Sequence, residues 1–322
     1  MIIVTGAAGF IASCLVEKLI AEGLEKEIIV VDDFRSRADK QPNFVGKNIA
    51  QQIERQHFIA WLKENYAQVD FIFHLGARTD TAEQNTAIFD ELNLNYSKQI
   101  FMLCSQHAIP MVYASSAATY GAGEHEYDDN ELIIKQLKPL NPYGDSKNNF
   151  DKWVLAQEKT PPFWAGLKFF NVYGRNEYHK GRMASVIFHA AKQIEATGSM
   201  KLFRSHRAEV KDGEQMRDFI YVNDVTSVCY FLLKNQIHSG IFNLGSGKAR
   251  TFLDLVTLTF EGLEKKPNIG FVDTPADIRD TYQYFTEANM AKLRSIGYSE
   301  PFYTLEEGIA DYMKYLKKFL AL

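Results

Sequence analysis

The sequence has few cysteines and no long hydrophobic run, and both absences exclude classes of protein. The three cysteines, Cys14, Cys104 and Cys229, lie far apart in the chain and form no CxxC pair. We therefore expect neither a disulfide scaffold nor a metal site such as a structural zinc centre. The longest apolar run, over residues 228–233, has six residues, whereas a membrane-spanning helix needs about 18. We therefore expect no membrane-spanning helix.

The sequence also lacks an excess of basic charge and a recognisable targeting segment. It has 36 Lys and Arg residues against 40 Asp and Glu residues, for a formal net charge of −4. Nucleic-acid binding normally requires a clustered basic excess. Residues 1–6 form a β-branched run that ends in a glycine turn, and no basic n-region or cleavage site precedes them. We expect a cytoplasmic protein with neither nucleic acid nor membrane among its partners.

What the sequence does contain is an alternation of short apolar runs and amphipathic stretches. Of its 322 residues, 46% are hydrophobic and 24% charged, which is typical of a globular protein. β-Branched and aromatic residues predict buried strands at 2–4, 28–31, 71–74 and 110–114. Amphipathic segments between such strands indicate an α/β fold, a Rossmann-type doubly wound parallel sheet.

The second half of the sequence alternates less regularly and predicts a smaller mixed α/β substrate-binding domain. Strands are expected at 166–170 and 241–244, helices at 182–197 and 304–319, and a polar loop at 204–216. The chain is longer than one hydrophobic core usually supports, so two lobes are expected. They are a dinucleotide-binding domain over 1–172, with return segments near 218–248, and a mainly substrate-binding domain over 173–322.

A glycine-rich turn joins the first predicted strand to the first predicted helix. Gly6 permits the tight turn, and Gly9 allows backbone N–H groups to approach a pyrophosphate at the helix N-terminus. Asp32 ends the second strand, about 20 residues on, where a carboxylate can bind a ribose hydroxyl. The motif alone is also typical of an ordinary tight turn, but the combination predicts a dinucleotide site. Small residues form a further turn after the third strand, at Leu75, Gly76 and Ala77.

The charged loop after the second strand leaves the choice between NAD and NADP open. Asp32 and Asp33 favour the free 2′-hydroxyl of NAD. Arg35, Arg37 and Lys40 follow immediately and could neutralise the 2′-phosphate of NADP. A solvated surface loop is an equally good interpretation of these charges.

A tyrosine and a lysine stand at positions i and i+4 of a predicted helix, at Tyr143 and Lys147, and so share one helical face. A phenol is a poor base at neutral pH unless a cation lowers its pKa, and Lys147 can do this while binding the nicotinamide ribose. Ser116 ends the fourth strand at the carboxyl edge of the sheet, where ligands bind. A YxxxK spacing is common by chance, but together with Ser116 and the dinucleotide motif it predicts hydride chemistry.

Four segments and Asp32 together resemble the extended short-chain dehydrogenase/reductases, the superfamily of nucleotide-sugar epimerases and dehydratases. The segments are TGAAGFIA, YASSAATYGAG, NPYGDSK and FFNVYG. The resemblance extends along essentially the whole chain. Within the superfamily, FNVYGRNEYHKGRMASVIFH, RDFIYVNDV and GIFNLGSGKARTF are similar to a branch that epimerises an ADP-linked heptose at C6″.

This resemblance implies an NADP-dependent isomerase that makes a transient 6″-keto intermediate and returns the same hydride to it. NAD stays open as the cofactor. The resemblance further implies a homo-oligomer, a pentamer, in the synthesis of lipopolysaccharide core precursors. Lys180 matches the position of a second acid/base group opposite Tyr143, so the implied catalytic residues are Ser116, Tyr143, Lys147 and Lys180.

Further residues are assigned by position in the matched segments and turns. The cofactor contacts are expected to be Gly6, Gly9, Phe10, Ile11, Asp32, Asp33, Lys40, Arg55, Leu75, Gly76, Ala77, Arg78, Asn93, Lys147, Val172 and Lys180. The substrate contacts are expected to be Ser116, Asn171, Arg182, His189, Phe203, Arg204, Ser205, His206, Arg217 and Tyr282.

Several residues depart from the patterns of the superfamily. Dehydratases carry an Asp-Glu pair after the strand-four serine, where this sequence has Ala117 and Ala118, so dehydration is disfavoured. Arg182 stands where the heptose branch commonly has a substrate-binding serine, Arg55 stands where it usually has lysine, and the segment 207–216 is longer than usual. Two alternatives stay open: a UDP-sugar 4-epimerase, which would not need a second base, and a catalytically inactive dinucleotide-sensing module.

Overall fold

The computed structural model describes residues 1–279 and 282–320 of the chain. The strands are β1 (Ile2–Thr5), β2 (Ile28–Asp32), β3 (Gln51–Glu54), β4 (Phe71–His74), β5 (Met111–Ser116), β6 (Trp164–Phe169), β7 (Asn171–Tyr173), β8 (Met200–Phe203), β9 (Met216–Tyr221), β10 (Gly240–Leu244), β11 (Ala249–Thr251) and β12 (Ile269–Val272). The α-helices are α1 (Phe10–Ala21), α2 (Arg55–Asn65), α3 (Thr86–Phe89), α4 (Tyr96–His107), α5 (Pro142–Leu155), α6 (Val186–Thr197), α7 (Val222–Lys234), α8 (Phe252–Gly262), α9 (Ala276–Arg279), α10 (Ala291–Ser295) and α11 (Leu305–Phe319). None of the helices in this part of the chain is long and apolar enough to cross a membrane.

In the described residues the large sheet has seven parallel strands in the order β10-β6-β5-β4-β1-β2-β3. β1 pairs with β2 on one side and with β4 on the other, so the strand order reverses at β1. In open parallel sheets, ligands bind outside the carboxyl ends of the strands at such a switch point. The predicted Rossmann-type doubly wound sheet is confirmed.

A smaller mixed layer is built from the rest of the described chain. β11, β9 and β7 form one short sheet, with β7 parallel and β11 antiparallel to β9, and β12 pairs with β8 in another. Buried side chains of α6, α8 and α11 form a second hydrophobic cluster against it. The chain also returns to the large sheet, where α7 packs on α1 and β10 pairs with β6. A division into two domains at residue 172 stays a prediction.

The helix predicted over 182–197 begins later than expected, because two local signals interrupt it. Residues 178–183 form a separate 3-10 turn broken at Gly181, whose φ of 53° is left-handed. Ser185 then caps α6, because its hydroxyl accepts a hydrogen bond from the Phe188 N–H at 3.2 Å. The predicted polar loop is one residue too long, since Met216 is the first residue of β9.

Candidate active site

A cleft of about 590 Å³ lies along the carboxyl ends of the central strands. It is lined by terminal residues of β1, β2, β5 and β6, by the glycine-rich turn and by the start of α5. Among the predicted residues, the cleft gathers Gly6, Gly9, Phe10, Ile11, Asp32, Asp33, Lys40, Arg55, Leu75, Gly76, Ala77, Arg78, Ser116, Tyr143, Lys147, Asn171, Val172 and Lys180. The predicted acid/base and cofactor residues, apart from Asn93, therefore share one site.

Two turns approach each other backbone to backbone at the floor of this cleft. Gly6 has a φ of 69°, and a Cβ added there would lie 2.6 Å from the Cα of Gly76. A Cβ added at Gly9 would lie 2.9 Å from the Gly6 carbonyl oxygen. Only glycine fits this arrangement, and it leaves the N–H groups of the turn open to a phosphate, as a dinucleotide requires.

This close approach predicts that Gly6→Ala empties the site. The left-handed conformation alone costs alanine about 1–2 kcal/mol, and the contact with Gly76 would displace the turn as well. Protein carrying Gly6→Ala should therefore be purified with far less bound dinucleotide, measured as nucleotide released on denaturation. Gly23→Ala is the matched control, because Gly23 has a φ of 79° and no described atom lies within 4 Å of an added Cβ. Full dinucleotide content in Gly6→Ala would contradict the assigned role.

The Asp32 carboxylate stabilises the glycine-rich turn by hydrogen bonds. Its Oδ2 accepts a hydrogen bond from the Ala8 N–H at 2.9 Å. Its Oδ1 accepts one from the Asp33 N–H at 2.7 Å, and the Nζ of Lys40 lies 3.3 Å from the same oxygen. Asp32 thus ties the end of β2 to the turn, and its contact with a ribose hydroxyl stays a prediction.

The basic residues after β2 divide between the cleft and the surface. Arg37 and Lys40 line the cleft, and the guanidinium of Arg37 also donates to the His179 carbonyl oxygen at 3.2 Å. Arg55, at the start of α2, lies 3.9 Å from Asp33. The side chain of Arg35 is 81% exposed and reaches Glu54 instead. Each of the three cations that line the cleft has an acidic neighbour, since Arg37 also pairs with Asp39 at 2.7 Å and Lys40 lies 3.3 Å from Asp32.

Arg78 provides a donor that is buried and unpaired. Its Nε has no hydrogen-bond partner among the described residues, while its NH2 group lies 3.7 Å from Asp80 and 3.5 Å from Glu83. Asn93 lies outside the cleft lining, where its side chain bonds the N–H and the carbonyl of Arg78 at 2.8 and 2.9 Å. A buried unpaired donor is costly, so an acceptor on a ligand suits this position. Together with the two glycine turns, it fits a dinucleotide.

Ser116, Tyr143 and Lys147 converge where β5 ends and α5 begins. Ser116 starts a 3-10 turn by accepting a hydrogen bond from the Ala118 N–H at 3.1 Å. The Nζ of Lys147 donates to the Ala114 carbonyl oxygen at 2.7 Å. Burial lowers the pKa of Lys147 to about 8, and the Asp151 carboxylate opposes that shift. Burial raises the pKa of Tyr143, and its hydrogen bond with Ser116 opposes this.

Lys180 lines the cleft from the turn of residues 178–183. Its Nζ lies 5.9 Å from the centre of the Phe10 ring. Burial lowers the pKa of Lys180, Glu177 opposes that effect and Lys40 adds to it. A lowered pKa makes the ammonium of a lysine a stronger acid, which favours a role in proton transfer.

Two of the predicted substrate residues beyond Ser116 lie in or beside the cleft, and a third lies apart from it. Asn171 lines the cleft. Arg182 is exposed at its rim, where the guanidinium lies 3.1 Å from Asp80, itself a lining residue. His189 lies outside the lining on α6, with its ring 6.1 Å from that of Phe188.

The other predicted substrate residues form a cluster of their own in the smaller layer. The ring of Tyr282 lies 6.4 Å from that of Phe203 and 6.2 Å from that of His206. The guanidinium of Arg217 lies 5.4 Å from the Tyr282 ring and donates to the Met216 carbonyl at 2.8 Å. The neighbours in this loop are Arg204, which pairs with Asp212 and Asp273, and Ser205, whose N–H donates to Asp212.

Residues 2–245 match the NAD dependent epimerase/dehydratase family. The chain belongs to this family. It is 44% identical over 329 residues to the ADP-L-glycero-D-manno-heptose-6-epimerase of Fusobacterium nucleatum, covering 99% of this chain and 98% of the relative. Identity is also 44%, over 316 residues, to the enzyme of the same name from Nitratidesulfovibrio vulgaris, covering 98% and 97%. The Helicobacter pylori ADP-L-glycero-D-manno-heptose-6-epimerase structure matches with a TM-score of 0.81 and 28% identity, covering 98% of this chain and 95% of that one.

Membership in the NAD dependent epimerase/dehydratase family makes a nicotinamide dinucleotide the cofactor class of this chain. The 44% identity to epimerases over nearly the whole chain makes it an isomerase within that family. The cleft also contains residues that sequence reasoning missed, among them Thr79, Asp80, Tyr96 and His179. Thr79 and Asp80 directly follow Arg78, and His179 precedes Lys180, so a wider window around those residues would have found them. Tyr96 is the first residue of α4, and no motif around it predicts a contact with the cofactor. The packing of the helix brings it to the cleft.

Proposed function

We propose that this chain inverts C6″ of ADP-D-glycero-D-manno-heptose to give ADP-L-glycero-D-manno-heptose. The observation that carries the proposal is the 44% identity to enzymes of that name over nearly the whole chain. The cleft supports it with a hydroxyl, a phenol and two lysines around one space, at Ser116, Tyr143, Lys147 and Lys180.

In the proposed reaction the substrate passes through a 6″-ketone and is reduced again from its other face. The glycine-rich turn and Lys147 would hold the nicotinamide dinucleotide, which would supply a reversible hydride acceptor for C6″. Ser116 would donate a hydrogen bond to the reacting oxygen, and Tyr143 would take the hydroxyl proton. Lys147 would hold the nicotinamide ribose and lower the pKa of Tyr143 by its positive charge. The buried position of the phenol makes that cation necessary, since burial acts in the opposite direction.

The inversion creates a need for a second acid/base group. When the ketone presents its other face, its oxygen points away from its first position, beyond the reach of one phenol. Lys180 is the group proposed to serve the second orientation, because it lines the same cleft from the turn of residues 178–183 and its pKa is lowered by burial.

We propose NADP rather than NAD as the bound dinucleotide, on the strength of the cations Arg37, Lys40 and Arg55. Protein denatured after purification should release NADP. Lys40→Met should weaken NADP binding relative to NAD on the order of 10-fold, because a charge-assisted hydrogen bond to phosphate is lost. Arg35→Met is the matched control, since the Arg35 side chain is exposed and turned to Glu54. Release of NAD, or an equal loss of both dinucleotides in Lys40→Met, would contradict the choice.

The same proposal includes the location, the oligomeric state and the pathway of the enzyme. We propose a cytoplasmic homo-oligomer, a pentamer, that supplies lipopolysaccharide core precursors, and the family resemblance is what supports this. Analytical ultracentrifugation of the purified protein measures the oligomeric state directly, and a monomer would refute that part.

Substrate trials separate the proposal from its alternatives. ADP-D-glycero-D-manno-heptose should be converted, and UDP-glucose should not, as followed by NMR of the sugar protons. Conversion of only the UDP-hexose would replace the proposal with a UDP-sugar 4-epimerase. Bound dinucleotide without conversion of either sugar would favour a sensing module.

A further inference from the structure

A fully buried ion pair lies directly behind the proposed catalytic helix. The side chains of Lys168, on β6, and Asp151, on α5, are both 0% exposed, and the Nζ of the lysine lies 2.8 Å from Oδ2 of the aspartate. Removing two charges from water is expensive, and a buried pair often stabilises a fold no better than apolar side chains of the same volume. The ion pair therefore contributes little more to the stability of the fold than apolar side chains would, and its contacts indicate a different role.

The Asp151 carboxylate ties the catalytic helix to the strand that ends in the catalytic serine. It lies one helical turn beyond Lys147 and two turns beyond Tyr143, on the same face of α5. Two hydroxyls of β5 donate to it, that of Ser115 at 2.7 Å and that of Tyr113 at 3.1 Å. The two adjacent serines thus have different tasks, since the Ser115 hydroxyl is committed to Asp151.

The Lys168 ammonium fixes the turn that follows the catalytic serine. Its Nζ donates to Oγ1 of Thr119 at 2.7 Å, and the Thr119 hydroxyl in turn donates to the carbonyl oxygen of Ser116 at 2.8 Å. The ring of Tyr120, in the same turn, lies 5.1 Å from the ammonium. The ion pair therefore has direct hydrogen bonds to α5, to β5 and to the turn between them.

We infer that Asp151 and Lys168 are positioning residues, which hold Ser116, Tyr143 and Lys147 in one reactive geometry. The kinetic part of this inference rests on the function proposed above. Hydrogen bonds from one charge pair to all three elements leave little freedom for α5 to slide along β5. A displacement of about 1 Å at a catalytic group can cost about 100-fold in rate, so the pair affects turnover without touching the substrate.

The test neutralises both charges at once, because removing one partner leaves an unpaired buried charge that threatens folding. The double variant Asp151→Asn/Lys168→Met keeps similar volumes and retains a side chain able to bind the Ser115 hydroxyl. We expect it to fold, to retain its dinucleotide and to keep a KM close to that of the wild type. Its kcat should fall by about 100-fold. Amide hydrogen exchange should be faster along α5 and in residues 117–120.

Leu316→Ala is the control, since Leu316 is fully buried in the second hydrophobic cluster, away from the ion pair. It should lower the melting temperature but leave kcat and the exchange of α5 unchanged. A double variant with kcat near the wild type, or with unchanged exchange in α5, would overturn the inference. A kcat loss in Leu316→Ala as large as that of the double variant would overturn it too. A wild-type chain that converts no ADP-heptose would refute the proposed function instead, and the exchange data would still decide whether the pair positions α5.

Discussion

Tyr143→Phe should lower the turnover of ADP-D-glycero-D-manno-heptose by about 10²–10⁴-fold, the contribution of one well-placed acid/base group. The substitution removes a single oxygen and keeps the aromatic ring, which packs 6.3 Å from that of Phe89. The fold and the bound dinucleotide should therefore be preserved. Initial rates with saturating substrate, together with the nucleotide released on denaturation, measure both parts of this expectation.

Tyr96→Phe is the matched control for this variant. Tyr96 lines the same cleft, and within the described part of the chain its hydroxyl donates only to the Arg55 carbonyl oxygen, at 3.4 Å. Loss of that hydroxyl should leave turnover close to that of the wild type. Wild-type turnover in Tyr143→Phe would remove the phenol from the mechanism, whereas loss of the dinucleotide in that variant would indicate a binding role.

Lys180→Met should also lower turnover by about 10²–10⁴-fold, because the second orientation of the ketone would have no proton donor or acceptor. Methionine retains much of the aliphatic chain and removes the ammonium that lies 5.9 Å from the centre of the Phe10 ring. The variant should bind the dinucleotide and should fail at full inversion. Stopped-flow absorbance at the wavelength of the reduced nicotinamide can follow the first hydride transfer separately from inversion.

Lys192→Met provides the comparison, since Lys192 is an exposed lysine that lies 5.5 Å from the ring of Phe188 on α6. It matches Lys180 in its cation–π contact but lies outside the cleft lining. Its turnover should be unaffected. If Lys180→Met inverted the substrate at the wild-type rate, a single phenol would serve both orientations and the two-base mechanism would fail.

Six of the seven strands of the large sheet, all but β3, and the floor of the cleft could be predicted from the sequence, because both depend on local patterns. β4 lies at the predicted residues 71–74, and β1, β2 and β5 differ from their predictions only at their ends. The backbone at Gly6 and Gly9 leaves no space for a Cβ atom, and the short glycine-rich motif predicts this. The YxxxK spacing placed Tyr143 and Lys147 on one helical face, which the structure directs into the cleft.

The remaining features depend on contacts between distant segments, which no local pattern specifies. Lys168 stands within an apolar run, and nothing in its neighbourhood identifies Asp151 as its partner. Asn93 bonds the Arg78 backbone from outside the cleft lining, although position in the family suggests a direct cofactor contact. The separate cluster around Tyr282 likewise depends on how β8 and β9 lie in the smaller layer, and those strands are absent from the sequence prediction.

The most direct test of the account is epimerisation of ADP-D-glycero-D-manno-heptose in D₂O, with the product analysed by NMR and mass spectrometry. The hydride mechanism predicts inversion at C6″ with the original hydrogen retained there, because the hydride leaves and returns within one cleft. Deuterium incorporated at C6″ in step with inversion would show that the hydrogen leaves as a proton, and it would contradict the hydride mechanism.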